Sequence, residues 1–401
     1  MENNVPVWLT KERLNVYPKL IGAIYLIGVI LWVFLADNNI DLNGRYLGAD
    51  FISFYAAGTL ALEGQAILAY DIEAHRNVEL ALINAEDLEF GLLPFNYPPI
   101  FLLLLAPLAA LPYFVAFIIF QISSIIFFVT MIKKLAGRNE ALILSLAFGG
   151  TLINFCYGQN ALLTTGLLAG ALFYLDRKPI LSGILIGLLT YKPHLGILIP
   201  LVLIVSGRWQ VFLYAAISFI FLILMTIATL GMESWISFWE ARDFVKQALN
   251  VPLISYLNFQ SIFSSLRAMG IGLNSAYLIH IIFAFLSIIV VLKIWVMKVD
   301  VRLKLASLTL GTMMISPYIL NYDLALLAIV ISCLVSFGIE KGFEKSQILL
   351  LIITWFLPIV AKPFNTMLPM PWTPVILWIL LFQIYKVAND LKFEEQRQVL
   401  L

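Results

Sequence analysis

The chain predicts an all-α polytopic membrane protein, and three observations carry that class. Hydrophobic residues make up 62% of the 401 positions, charged residues only 12%, and the mean hydropathy is +0.96. A soluble domain of this size carries about twice that charged share. Long charge-free runs recur from one end of the chain to the other, more than any soluble core can use. Between them, Lys and Arg gather in short connections that set one orientation. The same composition narrows the partners. A net charge of +1 offers no electrostatic footprint for nucleic acid. Cys156 and Cys333 lie inside apolar runs, and with three His they form neither a disulfide framework nor a metal-ligand spacing. No cofactor is expected, although a divalent cation is left open.

Each span is read between charges. Residues 1–19 are too long and too polar to precede a cleaved signal, so the run 20–36 is expected to be a retained span. The run 99–132 exceeds one crossing, and Pro107 and Pro112 divide it into a short apolar segment and a span over 113–132. The run 141–175 breaks at Gly158-Gln159-Asn160 into two. The run 180–205 is interrupted by Lys192-Pro193-His194, giving two half-length pieces or one long helix kinked at the proline. Further spans fall near 209–231, 274–295, 305–318, 323–339, 346–361 and 372–387. The expectation is a bundle of ten to twelve spans forming one domain over 1–401.

Orientation follows from the basic residues. With the N-terminus inside, most of the 25 Lys and Arg face the cytoplasm, among them Lys133, Lys134, Arg138, Arg177, Lys178, Lys293, Lys298, Arg302 and Lys304. A twelve-span count also returns the polar C-terminal tail to that side. In this topology the polar interruptions share the outer face. They are the loop 37–98, the turn at 157–160, the break at 191–194, the loop 232–273 and the segment 317–323. Irregular polar backbone at membrane depth is tolerated only where it is buried in protein or lines a cavity, so one outer site is expected.

The first outer loop is acidic, and apolar residues at helical spacing over 52–62 and 72–83 predict two helices lying on the membrane surface. It re-enters through Phe95-Asn96-Tyr97-Pro98-Pro99, where paired prolines impose an extended approach. Trp235, Phe238 and Trp239 give the loop 232–273 an interfacial character. Asp50 opens the first of the surface helices. A carboxylate at a membrane surface beside many apolar helices suggests chemistry on a substrate held by a lipid. Asp is also a favoured N-cap, so capping the helix that starts near Phe51 is the competing role.

The set Asp50-Phe51-x3-Tyr55-Ala56-Ala57-Gly58, Tyr70-Asp71 and Asn96-Tyr97-Pro98-Pro99 resembles glycosyltransferase family 87. The likeness continues through Gly158-Gln159-Asn160, Lys192-Pro193, Asn258-x-Gln260-Ser261 and Ser316-Pro317-x4-Tyr322-Asp323, over about residues 45 to 330. The resemblance implies a bacterial inner-membrane enzyme of the GT-C class. Such an enzyme moves a sugar, most commonly mannose, from a polyprenyl-phosphate donor to a hydroxyl of a glycolipid or polysaccharide at the outer face, with inversion. It also implies a base in the first outer loop, a position that Asp50 matches.

The remaining candidates divide by chemistry. Lys192, between two apolar half-helices, is costly without an anionic partner, which fits the donor phosphate; a snorkelling lysine is the alternative. His194 and Arg76 are further phosphate contacts, though Arg76 can equally pair with Glu73 or Glu79. Tyr55, Gln159, Asn160, Asn258, Asn321 and Tyr322 are candidates for sugar or acceptor hydroxyls, with Gln159 and Asn160 equally able to satisfy a tight turn. Asp323 and Asp71 read as caps, His75 as a solvated helix residue and His280 as a residue inside a span. Many members of the family place a histidine or acid around 318–322, where this chain has Tyr318 and Asn321. A secondary transporter or lipid-linked glycan translocator is the rival function, but such folds show internal repeats and charges near the bilayer midplane; no repeat is found, and the large acidic loop after the first span is unexpected for a transporter. A non-catalytic scaffold would scatter its polar residues over both faces.

Overall fold

Apolar helices too hydrophobic for water dominate the architecture. The computed structural model describes residues 11–83, 93–248, 256–368 and 370–400. The acidic stretch 84–92, the segment 249–255 and the first ten residues lie outside the described residues. An N-terminal helix α1 (Lys11–Phe34) leads into a polar turn region that precedes α2 (Phe51–Leu62), a 3₁₀ turn over Ala66–Tyr70, and α3 (Ile72–Ile83). Helices occupy both stretches expected in the loop 37–98 almost residue for residue, and nine of the twelve residues of α2 are buried within the protein. Pro98 and Pro99 start α4 (Pro99–Ala109), and Pro112 precedes α5 (Tyr113–Ala136), as proline's fixed φ favours at a helix start. The loop 232–273 supplies a helix over Glu233–Ala248, on which Trp235 Nε1 donates to the Thr226 hydroxyl at 2.9 Å.

The middle of the chain consists of broken helices. The pair α6 (Glu140–Leu146) and α7 (Gly149–Tyr157) bends by 46° at Ala147-Phe148. After Gly158 comes α8 (Ala161–Tyr174), then α9 (Pro179–Leu188), which tightens into 3₁₀ over Leu189–Tyr191 and stops at Lys192. Two short helices, α10 (Pro193–Gly196) and α11 (Leu198–Val205), complete the expected break at Lys192-Pro193. The remainder comprises α12 (Trp209–Leu230), α13 (Glu233–Ala248), α14 (Ile262–Ala268), α15 (Leu273–Val296) and α16 (Val301–Met314). A 3₁₀ turn over Asn321–Leu326 precedes α17 (Leu327–Lys341), followed by α18 (Lys345–Met367) and α19 (Trp372–Leu400). Among the described residues there is no strand, only isolated bridges such as Phe259 to Leu320.

Among the described residues seven helices are long and apolar enough to cross a membrane, or eight if the bent pair counts as one span. Counting charge-free runs gives more, because several counted runs fold into short helices: Ala161–Tyr174, Pro179–Tyr191 and Pro193–Val205. Each falls below the roughly 20 residues that a 30 Å hydrocarbon layer requires. The segment expected as a span over 305–318 is α16, which starts earlier and carries Arg302 and Lys304. The lipid-facing character is evident in α1 and α12, where most side chains are uncovered, whereas α5 is half buried. The protein is an all-α polytopic membrane protein.

Candidate active site

The site is built where the helix breaks meet. Gly48 has φ +67 and Gly158 φ +72, a region that favours glycine. A Cβ on Gly158 would lie 2.7 Å from the Cβ of Phe51 and 3.0 Å from the Gly48 carbonyl oxygen, so only glycine lets the two turns touch. The Asp50 amide donates to the Tyr157 carbonyl at 3.0 Å, and the Tyr113 hydroxyl donates to the carbonyls of Leu47 and Gly48 at 2.9 and 3.1 Å. Phe51, 1% exposed, anchors the turn against the rings of Tyr113, Phe117 and Phe120. Burying such a side chain contributes about 2–3 kcal/mol.

Asp50 occupies the N-cap position of α2 but its side chain makes no capping bond. Instead Oδ2 accepts from Gln159 Nε2 at 2.8 Å. The Gln159 carbonyl in turn accepts from Gln121 Nε2 at 3.1 Å, so the turn after α7 is held from α5. Oδ1 of Asp50 has no hydrogen bond among the described residues. Burial pushes the Asp50 carboxyl up to about 6, against the Gln159 hydrogen bond and the charge of Lys362, which both pull it down. A partly accessible carboxylate with one free oxygen and a pKa near neutrality is suited to accepting a proton.

Around it the expected motifs assemble. Asn160 is fully buried, and neither its Nδ2 nor its Oδ1 has a partner of good geometry. Asn154, also fully buried, ties the neighbourhood together: Nδ2 donates to the Tyr322 carbonyl at 3.0 Å and Oδ1 accepts from the Ala161 amide at 3.0 Å. Lys192 Nζ donates to Asp323 Oδ1 at 2.7 Å with both side chains buried, and stands 5.4 Å from the centre of the Tyr322 ring. Asp323 Oδ2 also accepts from the Leu320 amide at 3.2 Å, so Asp323 is a cap and a counter-ion together. His194 Nε2 is buried without a partner. Tyr97 lies among these groups. Its phenol is held well above its ordinary pKa by burial, then by Asp323, with Tyr191 and Asp50 adding to the effect and the Asn160 amide opposing it. Its hydroxyl is thus in the field of both carboxylates.

Other candidates are placed elsewhere or are already engaged. The Tyr55 hydroxyl donates to the Leu111 carbonyl at 2.7 Å. Asn321 Nδ2 donates to the Pro358 carbonyl at 3.0 Å, leaving Oδ1 buried and unpartnered. Asn258 sits in a short 3₁₀ turn whose neighbour Gln260 is pinned to the Ile319 carbonyl at 2.7 Å. Arg76 lies on α3, a helix packed on α2 and the Ala66–Tyr70 turn. Asp71 caps α3 by accepting from Ala74 at 2.8 Å. One expectation is overturned. His75 is buried, not solvated, with Nε2 3.2 Å from Ser53 Oγ and 3.3 Å from Glu79 Oε1. The apolar periodicity of α3 could not report which face α2 would cover.

Three participants escaped the sequence reading. Gln121 and Asn154 are single polar residues inside apolar helices, the kind of residue that must find a partner there. Lys362 lies between Pro358 and Pro363 near the C-terminal end of α18, and donates to the Tyr157 hydroxyl at 3.3 Å. A lone lysine between two prolines in an apolar helix was the available signal. Among the described residues no group of three His, Cys, Asp or Glu is placed to hold a metal.

A broken-helix membrane protein whose breaks enclose one carboxylate, one buried ion pair and several amides has the form of an enzyme acting at a membrane. The model of glycosyltransferase family 87 matches residues 95–317, more than half of the chain, and the chain belongs to that family. It is a glycosyltransferase. No curated protein and no solved structure matches it. Asp50 and Lys362 both fall outside the matched residues, so their place in the site rests on geometry alone.

Proposed function

We propose that the protein is an inverting, polyprenyl-phosphate-sugar-dependent glycosyltransferase of the GT-C class, working at the outer face of a bacterial inner membrane with both termini cytoplasmic. The convergence of Asp50 with Gln159, Asn160, Tyr97 and the Lys192–Asp323 pair supports this reading most directly. Asp50 Oδ1 takes the proton of the acceptor hydroxyl as that oxygen attacks the anomeric carbon. The bond from that carbon to the phosphate oxygen breaks, and its electron pair leaves with the polyprenyl phosphate. Gln159 keeps Asp50 oriented. Asn160 and Asn321, each with an unsatisfied amide oxygen, are offered to sugar hydroxyls. Lys192 and His194 face the departing phosphate, and Tyr55, Tyr322, Asn258 and Arg76 complete the proposed contacts. Mannose is the proposed sugar, a glycolipid or polysaccharide the acceptor, and no metal is assigned a step.

The test is purified protein in lipid, supplied with a panel of polyprenyl-phosphate sugars and assayed for release of the polyprenyl phosphate. Asp50→Asn is expected to lower transfer by about 10³-fold or more while expression and folding persist. Wild-type turnover by the Asp50→Asn variant would remove Asp50 from the mechanism.

A further inference from the structure

Lys192 is already neutralised within the protein by Asp323 at 2.7 Å. A phosphodiester donor carries one negative charge, and its phosphate gains a second as the sugar departs. A neutral ion pair does little for that gain, so the site calls for a cation that is not already salt-bridged. Lys362 meets this need. It is partly accessible, and no carboxylate lies within ion-pair distance of it among the described residues. Its Nζ stands 3.3 Å from the Tyr157 hydroxyl and 5.7 Å from the centre of that ring. The carbonyl of the same Tyr157 receives the Asp50 amide at 3.0 Å, so the ammonium and the carboxylate are mounted on one residue. The charge of Lys362 also reaches Asp50.

The backbone around it is arranged for this. Pro358 and Pro363 lie inside α18 on either side of Lys362, and each removes one intrahelical hydrogen bond. Beside them the Pro358 carbonyl accepts from Asn321 Nδ2, of the segment that also carries Tyr322 and Asp323, at 3.0 Å. The helix is thereby docked onto the rest of the site at the level of Lys362.

We propose that Lys362 binds the phosphate of the lipid donor and holds it as the sugar leaves. This rests on the polyprenyl-phosphate reading given above. The C–O bond to the phosphate breaks, the electron pair stays on the phosphate oxygen, and Lys362 takes no proton and gives none. Its part is to stabilise the charge that appears there.

The experiment measures binding of undecaprenyl phosphate and of undecaprenol, which shares the tail but lacks the phosphate, to the full-length protein in nanodiscs. Wild type should prefer the phosphate by about tenfold or more, and Lys362→Gln should lose that preference while binding undecaprenol as before. Lys362→Arg should keep it, which separates charge from packing if the Gln variant folds poorly. Inorganic phosphate should not displace the lipid phosphate at matched concentration; displacement would overturn the assignment to a lipid. A Lys362→Gln variant that discriminates like wild type, or that loses both lipids equally, overturns the role of Lys362 alone. A wild-type protein with no preference for the phosphate overturns the donor reading, and this inference with it.

Discussion

At the scale of single residues, Asp50 shows how environment makes a carboxylate useful. Burial raises its pKa to about 6, whereas the unfolded chain has the ordinary value near 4. A general base must be ionised, so transfer should climb with pH through about 6 and level off above it. A pH–rate profile lacking this acidic limb would argue against Asp50 as the base. The same shift has a stability consequence whose sign is opposite to that of a salt-bridged carboxylate. Because the folded state binds the proton more tightly, stability falls as pH rises from about 4 to about 6 and stays lowered above. Asp50→Asn should therefore be more stable than wild type at pH 7.5, by up to about 3 kcal/mol, with the gap closing below about pH 4. Thermal unfolding in detergent across that range reads it. Asp50 was legible from the sequence as a carboxylate in a polar loop, but its bond to Gln159, more than a hundred residues away, was not.

At the scale of elements, the breaks matter more than the helices. The turn after α7 requires Gly158, and the break at Lys192 leaves a cation inside the protein that would be prohibitively costly alone. Asp323 resolves this from the far side of the chain, and it caps its own 3₁₀ turn as well. Replacing either partner should cost about 3–5 kcal/mol, because an uncompensated charge is left buried. The double substitution Lys192→Met with Asp323→Leu should cost much less than the sum, leaving mainly the lost cap of about 1 kcal/mol. A double-mutant cycle on unfolding gives the answer, and additive single effects would mean the pair is not coupled. The positions of both breaks were readable, since Gly and Lys-Pro stand out in apolar runs. Their partners were not, because an Asp beginning a helix reads as a cap whether or not it also meets a lysine.

At the scale of the molecule, the polar breaks gather together while the basic connections lie apart from them, as at Arg302, which pairs with Asp300 at 2.6 Å and with Glu340 at 2.8 Å. This segregation predicts a topology. In a background lacking Cys156 and Cys333, Gln65→Cys should react with an impermeant thiol reagent in right-side-out vesicles. Lys298→Cys and Lys341→Cys should react only after permeabilisation. Labelling of positions 65 and 298 from the same side would break the common outer site. The number of complete crossings is the least legible feature of the whole, because a charge-free run does not disclose whether it forms one long helix or two short ones.

By itself the sequence determined the membrane-spanning all-α class, the two helices of the loop 37–98, the places where helices stop and the carboxylate at the head of α2. These depend on local composition, periodicity and turn chemistry, which act over a few residues. The tertiary structure alone decided what those ends meet: Gln159 on Asp50, Asp323 on Lys192, Asn154 on Tyr322, Ser53 on the buried His75, and Lys362 on Tyr157. Each pairing joins residues far apart along the chain, and in a low-dielectric interior a polar group's role is set by the partner it finds.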